Sequence, residues 1–572
     1  MKITGAELFV KALRKEKVNI LFGYPGGQVI DLFDVLYAEK DIEVILPRHE
    51  QGLVHAADGY ARSTGKIGVC LVTSGPGATN IVTGIATANY DSVPLVCFTG
   101  QVPISLIGKD AFQEVDIVDI TKSITKYSIT VRNRDDLGRV IKKAFYIART
   151  GKPGVVVVDL PKDIQCAYGS DEYPDKIEIV SHNYDDNIQV ENIKKAMETL
   201  KCAQKPVFLI GGGVNIANAK EEMKKLAEST GVPVITTIMG KGAIPTYHPL
   251  YIGNIGIHGS YASNTAISQC DVLFSIGTRF NDRITGKVSE FAKNAIIIHV
   301  DINPISISRN VKADIPIVAD AKEAITMMLD EAVTLDILKW REEINQWKRN
   351  YPIHMKCQGM TPEVIIDKIN KIFSNAIVVT DVGQNQLWTT QFLELDENKK
   401  MLTSGGLGTM GYGFPAALGA KIGNPDKDVI VISGDGGMQM NIQEMATAIV
   451  YEIPLIICIL NNGYLGNVRQ WQEMFFNKRY SSTCLQYRKH CSRECNNPNK
   501  GCPKYTPDFV KLAESYGAIG IRVTRTEEIE DAFNTAKKST TIPTVIEFVI
   551  GREENVLPIV PPGNSLSEMI IE

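Results

Sequence analysis

Residues 434–462 read GDGGMQMNIQEMATAIVYEIPLIICILNN, and this stretch decides the fold. The apolar run 429–432 just before it ends at glycines, which predicts a buried strand and a tight turn. Residues 442–451 predict a helix, and 455–460 a second apolar strand. Continuous apolar runs joined through a helix point to parallel strands buried on both faces. Asp435 and Asn462 then fall at carboxyl ends of parallel strands, where open α/β sheets bind ligands. A carboxylate, an amide oxygen and a turn carbonyl suit Mg²⁺, a hard octahedral cation usually shared with phosphate oxygens. The glycines Gly434, Gly436 and Gly437 let backbone N–H groups approach a diphosphate. Taken alone, the two polar ends also read as ordinary turns.

The same alternation continues on both sides. Strand-like runs at 44–46, 69–72, 95–98 and 155–158 predict a doubly wound parallel sheet over residues 1–167. Residues 168–186 are polar and carry turn residues, as a linker would. A second α/β block spans 187–340, with strands near 207–209, 272–276 and 296–300. The charged stretch 339–356 reads as an exposed helix and link. A third block covers 360–550, followed by a tail, 551–572. The expected fold class is α/β, with three doubly wound parallel-sheet domains.

Composition sets limits. The chain has 572 residues, 44% hydrophobic and 22% charged, ordinary values for globular domains. A net charge of −4 gives no reason to invoke nucleic acid or an anionic membrane. The N-terminal stretch carries charges throughout and has no apolar signal-peptide core. No uninterrupted apolar run is long enough to span a bilayer, so a cytoplasmic protein is expected.

A second candidate site lies at Pro47-Arg48-His49-Glu50-Gln51, after a strand at 43–46 and before a helix at about 53–64. A first-turn Glu is favoured by the helix dipole, whatever its function. Thiamine chemistry, however, needs one carboxyl group against the aminopyrimidine, far from the diphosphate. Glu50 followed by the glycine-rich Thr73-Ser74-Gly75-Pro76-Gly77-Ala78-Thr79-Asn80 is similar to the pyrimidine-binding domain of thiamine diphosphate enzymes. The 434–462 stretch resembles their diphosphate motif. Further motifs narrow the resemblance. They include Gly23-Tyr24-Pro25-Gly26-Gly27, Asp159-Leu160-Pro161-Lys162-Asp163, Arg279-Phe280-Asn281-Asp282-Arg283, Arg469-Gln470-Trp471 and Val560-Pro561-Pro562-Gly563. In this order, over nearly the whole chain, they resemble the large, catalytic subunits of acetohydroxyacid synthases, also called acetolactate synthases.

The resemblance implies named roles. Asp435, Asn462 and the Tyr464 carbonyl would ligate Mg²⁺. Gly383, Gln384, Asn385, Gly434, Gly436 and Gly437 would hold the diphosphate; where the family usually carries His, this chain has Asn385. Met410 would prop the cofactor into its V shape, and the Gly408 carbonyl would accept from its amine. Glu50 would support the imino tautomer that activates the thiazolium carbon, and Gly27 would offer a backbone N–H to developing charge. The family's flavin contacts match Gly211, Gly212, Gly213, Thr237, Gly256, Ile257, His258, Gly277, Arg279, Asp301, Ile302, Asp320 and Ala321, so bound FAD with a structural role is expected. Asn281 replaces the usual Asp, and Gln28 the usual small residue.

Arg283 would hold the carboxylate of an acceptor 2-keto acid through paired hydrogen bonds. Trp471 would form the apolar wall that prefers 2-ketobutyrate over pyruvate, its bland alternative being core packing beside Arg469. Phe112, Gln113 and Lys162 match residues at the site entrance, although Lys162 also reads as surface charge. In the family, Glu50 and the Asp435 site come from different chains, which implies a homodimer or tetramer, with a separate small regulatory subunit as a further partner. Three other readings stay open: a flavin-independent catabolic acetolactate synthase, another thiamine-dependent 2-keto acid decarboxylase, and an inactive thiamine-binding homologue. Cys484, Cys491, Cys495 and Cys502, with His490, form a polar insertion that reads as a metal site, reduced thiols or disulfides.

Overall fold

Every residue of Val155–Pro161 is buried, as a continuous apolar run predicts for a strand covered on both faces. In the computed structural model, residues 2–177, 190–357, 359–489, 491–492, 495, 502 and 506–572 are described. A short antiparallel pair joins β1 (Lys2–Thr4) to a later strand near residue 169. The first six-stranded sheet contains β2 (Ile20–Tyr24), β3 (Glu43–Ile45), β4 (Gly68–Val72), β5 (Leu95–Gln101), β6 (Tyr127–Thr130) and β7 (Val155–Pro161), in the order β3-β2-β4-β5-β7-β6. The partner of β1 is β8 (Tyr168–Ser170). The central sheet contains β9 (Pro206–Ile210), β10 (Val234–Thr236), β11 (Tyr251–Asn254), β12 (Val272–Ile276), β13 (Ile296–Asp301) and β14 (Ile315–Val318), in the order β11-β10-β9-β12-β13-β14. The third contains β15 (Ala376–Thr380), β16 (Lys400–Leu402), β17 (Asp428–Gly434), β18 (Ile456–Asn461), β19 (Ile519–Val523) and β20 (Thr544–Val549), in the order β16-β15-β17-β18-β20-β19. All pairings within the three sheets are parallel.

Counted within each unit, the first and third sheets share one strand order, 2-1-3-4-6-5. The central sheet has the order 3-2-1-4-5-6, that of dinucleotide-binding folds. The first and third units meet where the helix Glu50–Thr64 crosses the helix Gly413–Gly423. Small residues permit the crossing. A methyl group at Gly59 would lie 1.9 Å from the Ala416 carbonyl oxygen, and one at Gly419 would lie 1.7 Å from that of Ala56.

Several expected boundaries shift. The stretch 168–186 does not begin as a linker, because Tyr168–Ser170 pairs with β1; residues 178–186 lie outside the described ones. The helix expected over 442–451 starts as a 3₁₀ turn, Ile442–Glu444, and continues as Met445–Val450. The helix expected from about residue 53 begins at Glu50, since the His49 ring accepts from the Gln51 N–H and caps it earlier. The charged helix Leu338–Asn350 is not wholly exposed. It buries Trp340 and Ile344, and the Trp340 indole donates to the Pro206 carbonyl at 3.1 Å. The tail ties two cores together: Val556 packs in the third, Val560 and Leu566 in the central one.

Candidate active site

Three strand ends of the third sheet converge on one cavity. It is lined by Gly383, Gln384 and Asn385 after β15, Gly434 to Gly437 at the end of β17, and Asn462 and Tyr464 after β18, with Met410 above. The Asp435 carboxylate is buried, and neither of its oxygens has a hydrogen-bond partner. Burial pushes its pKa up to about 7. A buried, unpartnered carboxylate is costly unless it meets a cation. The buried Asn462 amide and Tyr464 line the same space, so the donor set fits a small hard cation. The helices Gln384–Phe392 and Gly466–Phe475 begin at the cavity wall and present there the first-turn amides that have no partner within the helix. The glycines are sterically required: a methyl group at Gly437 would lie 2.4 Å from Asp381 Oδ1, and one at Gly466 would lie 2.2 Å from Gln384 Oε1. Diphosphate and a divalent cation fit this arrangement.

Two expected diphosphate donors are spent elsewhere. The Asn385 NH₂ group donates to the carbonyls of Asp381 and Ile432, at 3.0 and 2.8 Å. That of Gln384 donates to Gln470 Oε1 and the Glu554 carbonyl, at 3.0 and 2.8 Å. Buried amides must satisfy both hydrogens, and these do so on the protein. Asn385 and Gln384 therefore shape the wall, and backbone N–H groups remain as its donors. Asp381, which sequence reading missed, organises the same wall. Its buried carboxylate accepts from the N–H groups of Val382, Gly411 and Gly413, pinning the loop that carries Gly408 and Met410. Only the position of Asp381 after an apolar strand could have pointed to it.

The other half-site lies on the first sheet, again at strand carboxyl ends. Glu50 accepts from Asn80 at 2.9 Å, and a methyl group at Gly77 would lie 3.5 Å from it. Gln113 packs against Gly75. Lys162 donates to the Gly27 carbonyl at 3.1 Å and pairs with Asp31, so it is not a free surface charge. Gly27 itself has open space around it, whereas a methyl group at Gly26 would strike Thr73 at 2.5 Å. Phe112 is 85% exposed, an unusual state for a large aromatic. No described residue of the first unit lines the cavity around Asp435.

A larger cavity, about 640 Å³, opens beside the central sheet at the switch point between β9 and β12. Gly212, Gly213, Thr237, Gly277, Arg279, Asp301, Ile302, Asp320 and Ala321 all line it, with Arg283 at its edge. Gly211 supports it from behind: a methyl group there would lie 2.1 Å from the Gly277 carbonyl oxygen. Burial pushes Asp301 up to about 6. Gly256, Ile257 and His258 are not brought to this cavity. The His258 ring instead meets the Pro558 carbonyl at 3.2 Å, and burial pushes its pKa down to about 4. Sequence reading missed Arg62, Asp91, Lys152 and Lys241, which reach the cavity from other parts of the chain. Asp91 Oδ1 is buried there without a partner. The size, the glycine cradle and the polar lining fit a dinucleotide.

Known proteins resolve the family. Models of the N-terminal TPP binding domain, the central domain and the C-terminal TPP binding domain of thiamine pyrophosphate enzymes match residues 3–120, 193–328 and 381–548. The acetolactate synthase large subunit of Corynebacterium glutamicum is 43% identical over 577 residues, covering 99% of this chain and 90% of its own. That of Haemophilus influenzae is 42% identical, covering 100% and 98%. A probable acetolactate synthase large subunit of Methanocaldococcus jannaschii is 44% identical, covering 99% and 95%. This chain belongs to the acetolactate synthase large-subunit family. It is a thiamine diphosphate-dependent enzyme of the carboligase class.

Within that family's frame, the helix Gly466–Phe475 buries Arg469 and Gln470 but leaves Trp471 half-buried beside Phe475, its indole N–H unpaired. Arg283 lines the central cavity, and Trp471 lines neither that cavity nor the one around Asp435. The tail connects their supports: Val556 N–H donates to Gln470, and Val560 N–H donates to the Ile257 carbonyl. Segment 483–485 folds back over the cavity around Asp435, with Leu465 N–H donating to the Thr483 carbonyl and Leu485 N–H to that of Gly463. Cys484 lies 3.7 Å from an Arg552 nitrogen. Among the described residues no three His, Cys, Asp or Glu side chains form a metal-binding group; His490 lies outside them. Among the described residues no helix is long and apolar enough to cross a membrane.

Proposed function

We propose that this enzyme decarboxylates pyruvate and joins the remaining two-carbon unit to a second 2-keto acid, pyruvate or 2-ketobutyrate, in branched-chain amino acid biosynthesis. The observation that carries the reading is the pair of half-sites: a buried, unpartnered Asp435 carboxylate in a glycine-walled cavity, and Glu50 at a strand end of a sheet with the same topology. Bound thiamine diphosphate supplies the electron sink for the carbon–carbon bond changes. Asp435, Asn462 and the Tyr464 carbonyl hold Mg²⁺ against its diphosphate. Glu50 holds a proton at the aminopyrimidine, in an active centre shared between two chains. Arg283 binds the acceptor carboxylate, and Trp471 walls the acceptor side chain. Phe112, Gln113 and Lys162 border the entrance, and Gly27 offers a backbone N–H to developing charge. FAD occupies the central cavity in a structural role, since the reaction has no net redox change. The domain spans 1–167, 187–340 and 360–550, with tail 551–572, are supported by the strands of each six-stranded sheet falling within one span, with β8 just beyond the first. A cytoplasmic location and a separate small regulatory subunit complete the reading.

The test is a product assay with ¹³C-labelled pyruvate, thiamine diphosphate, Mg²⁺ and FAD. Acetolactate is expected, with acetohydroxybutyrate added when 2-ketobutyrate is supplied. Acetaldehyde as the sole product would replace the reading with a simple decarboxylase. Flavin absorbance in the purified protein tests the third cofactor, and its absence after reconstitution would favour the flavin-independent type.

A further inference from the structure

One buried carboxylate takes no part in the chemistry described so far. Glu444 is fully buried, nine residues after Asp435. It meets no cation. Its Oε1 accepts from the N–H groups of Arg48 and His49, both at 3.1 Å. Its Oε2 accepts from Arg48 N–H at 3.0 Å and from the Thr447 hydroxyl at 2.7 Å. These amides belong to the two residues immediately before Glu50. One helical face further on, the Tyr451 hydroxyl accepts from Leu46 N–H at 2.8 Å and donates to the Val44 carbonyl at 3.2 Å. β3 is an edge strand, so its outer backbone groups would otherwise lack partners. Gly52, one turn into the helix, leaves room for the clamp: a methyl group there would lie 2.6 Å from Glu444 Oε1.

We infer that Glu444, assisted by Tyr451, is a positioning residue that fixes the strand-to-helix segment 44–49 and so sets where Glu50 points. The inference rests on the role proposed for Glu50. It gives the stretch 435–451 two tasks. Its start holds metal and diphosphate in one active centre, and its end aims the carboxylate that the same chain contributes elsewhere. An ionised carboxylate suits the work, because it accepts several N–H bonds at once and charge-assisted bonds are the stronger kind. A glutamine at 444 keeps one such oxygen on both amides, and its NH₂ group can turn to the Thr447 hydroxyl.

Three measurements on the full-length protein separate positioning from general support. They are hydrogen exchange of the Arg48 and His49 amides without cofactor, calorimetric affinity for thiamine diphosphate with Mg²⁺, and the rate at which the bound cofactor exchanges its C2 proton. Glu444→Ala is expected to release both amides and leave affinity within about threefold. It should slow C2 exchange by about tenfold to a hundredfold, the penalty of a misplaced reacting group. Glu444→Gln is expected to restore most of the rate. Tyr451→Phe, which removes one oxygen from a half-buried side chain, should give a smaller slowing of the same kind if Glu444→Ala folds poorly. Wild-type C2 exchange in these variants, while Glu50→Gln abolishes it, would overturn the inference alone. Equal losses of affinity and exchange would also overturn it, showing plain structural support. Wild-type exchange in Glu50→Gln would overturn the reading of Glu50, and the inference with it.

Discussion

In the proposed reading, Asp435 is the residue on which cofactor binding turns. Its two buried oxygens have no side-chain partner, and burial lifts its pKa to about 7 against the opposing pull of nearby backbone N–H groups. A cation reverses that penalty by supplying the missing charge. Asp435→Ala should therefore weaken Mg²⁺ and thiamine diphosphate together, by about tenfold or more, as loss of a bond to a charged group implies. Calorimetry with and without metal checks this, and an unchanged cofactor affinity would refute the metal assignment. Asp435, Asn462 and Glu50 were legible because each follows an apolar strand run and sits among telltale neighbours. The duties of Gln384 and Asn385 were not. Their hydrogens go to Glu554, Gln470, Asp381 and Ile432, and only the folded chain shows that these acceptors are in reach. Glu444 was hidden for the same reason, since its partners lie some 400 residues earlier.

At the scale of elements, two helices carry distinct predictions. The helix Gly466–Phe475 buries Arg469 and Gln470, whereas Trp471 is only partly buried. Trp471→Leu should lower the preference for 2-ketobutyrate over pyruvate by up to about tenfold, the scale of one methylene in an apolar pocket. It should slow acetolactate formation less. Competition between the two acceptors reads the ratio, and an unchanged ratio would move specificity to other residues. The crossing of Glu50–Thr64 with Gly413–Gly423 gives the second. Alanine at Gly59 gains up to about 1 kcal/mol of helix propensity. Yet its methyl group would meet the Ala416 carbonyl at 1.9 Å, and overpacking costs about 1–3 kcal/mol. Thermal unfolding should show Gly59→Ala destabilised; a stabilised variant would mean that the two helices part easily. The strands were legible from apolar runs, because parallel sheets bury both faces. The helix starts were not: His49 caps Glu50–Thr64 through a ring nitrogen, outside the usual Ser, Thr, Asp and Asn caps.

Across the whole molecule, periodicity gave three α/β units, but it could not give strand order. That the first and third sheets share the order 2-1-3-4-6-5 emerges only from long-range pairing, and no sequence repeat announces it. Nor could the sequence show that the tail bridges the central and third cores. The common topology matters for function, because each chain carries two complementary half-sites. No described first-unit residue lines the Asp435 cavity, and in the proposed reading a second copy completes the centre. Subunit complementation tests this most directly. Glu50→Gln and Asp435→Ala, each alone, should form almost no acetolactate from pyruvate. Mixed and allowed to exchange subunits, they should recover about a quarter of wild-type activity, because random pairing makes half the dimers mixed and each mixed dimer holds one intact centre. No recovery despite demonstrated exchange, or full activity of either variant alone, would contradict the account.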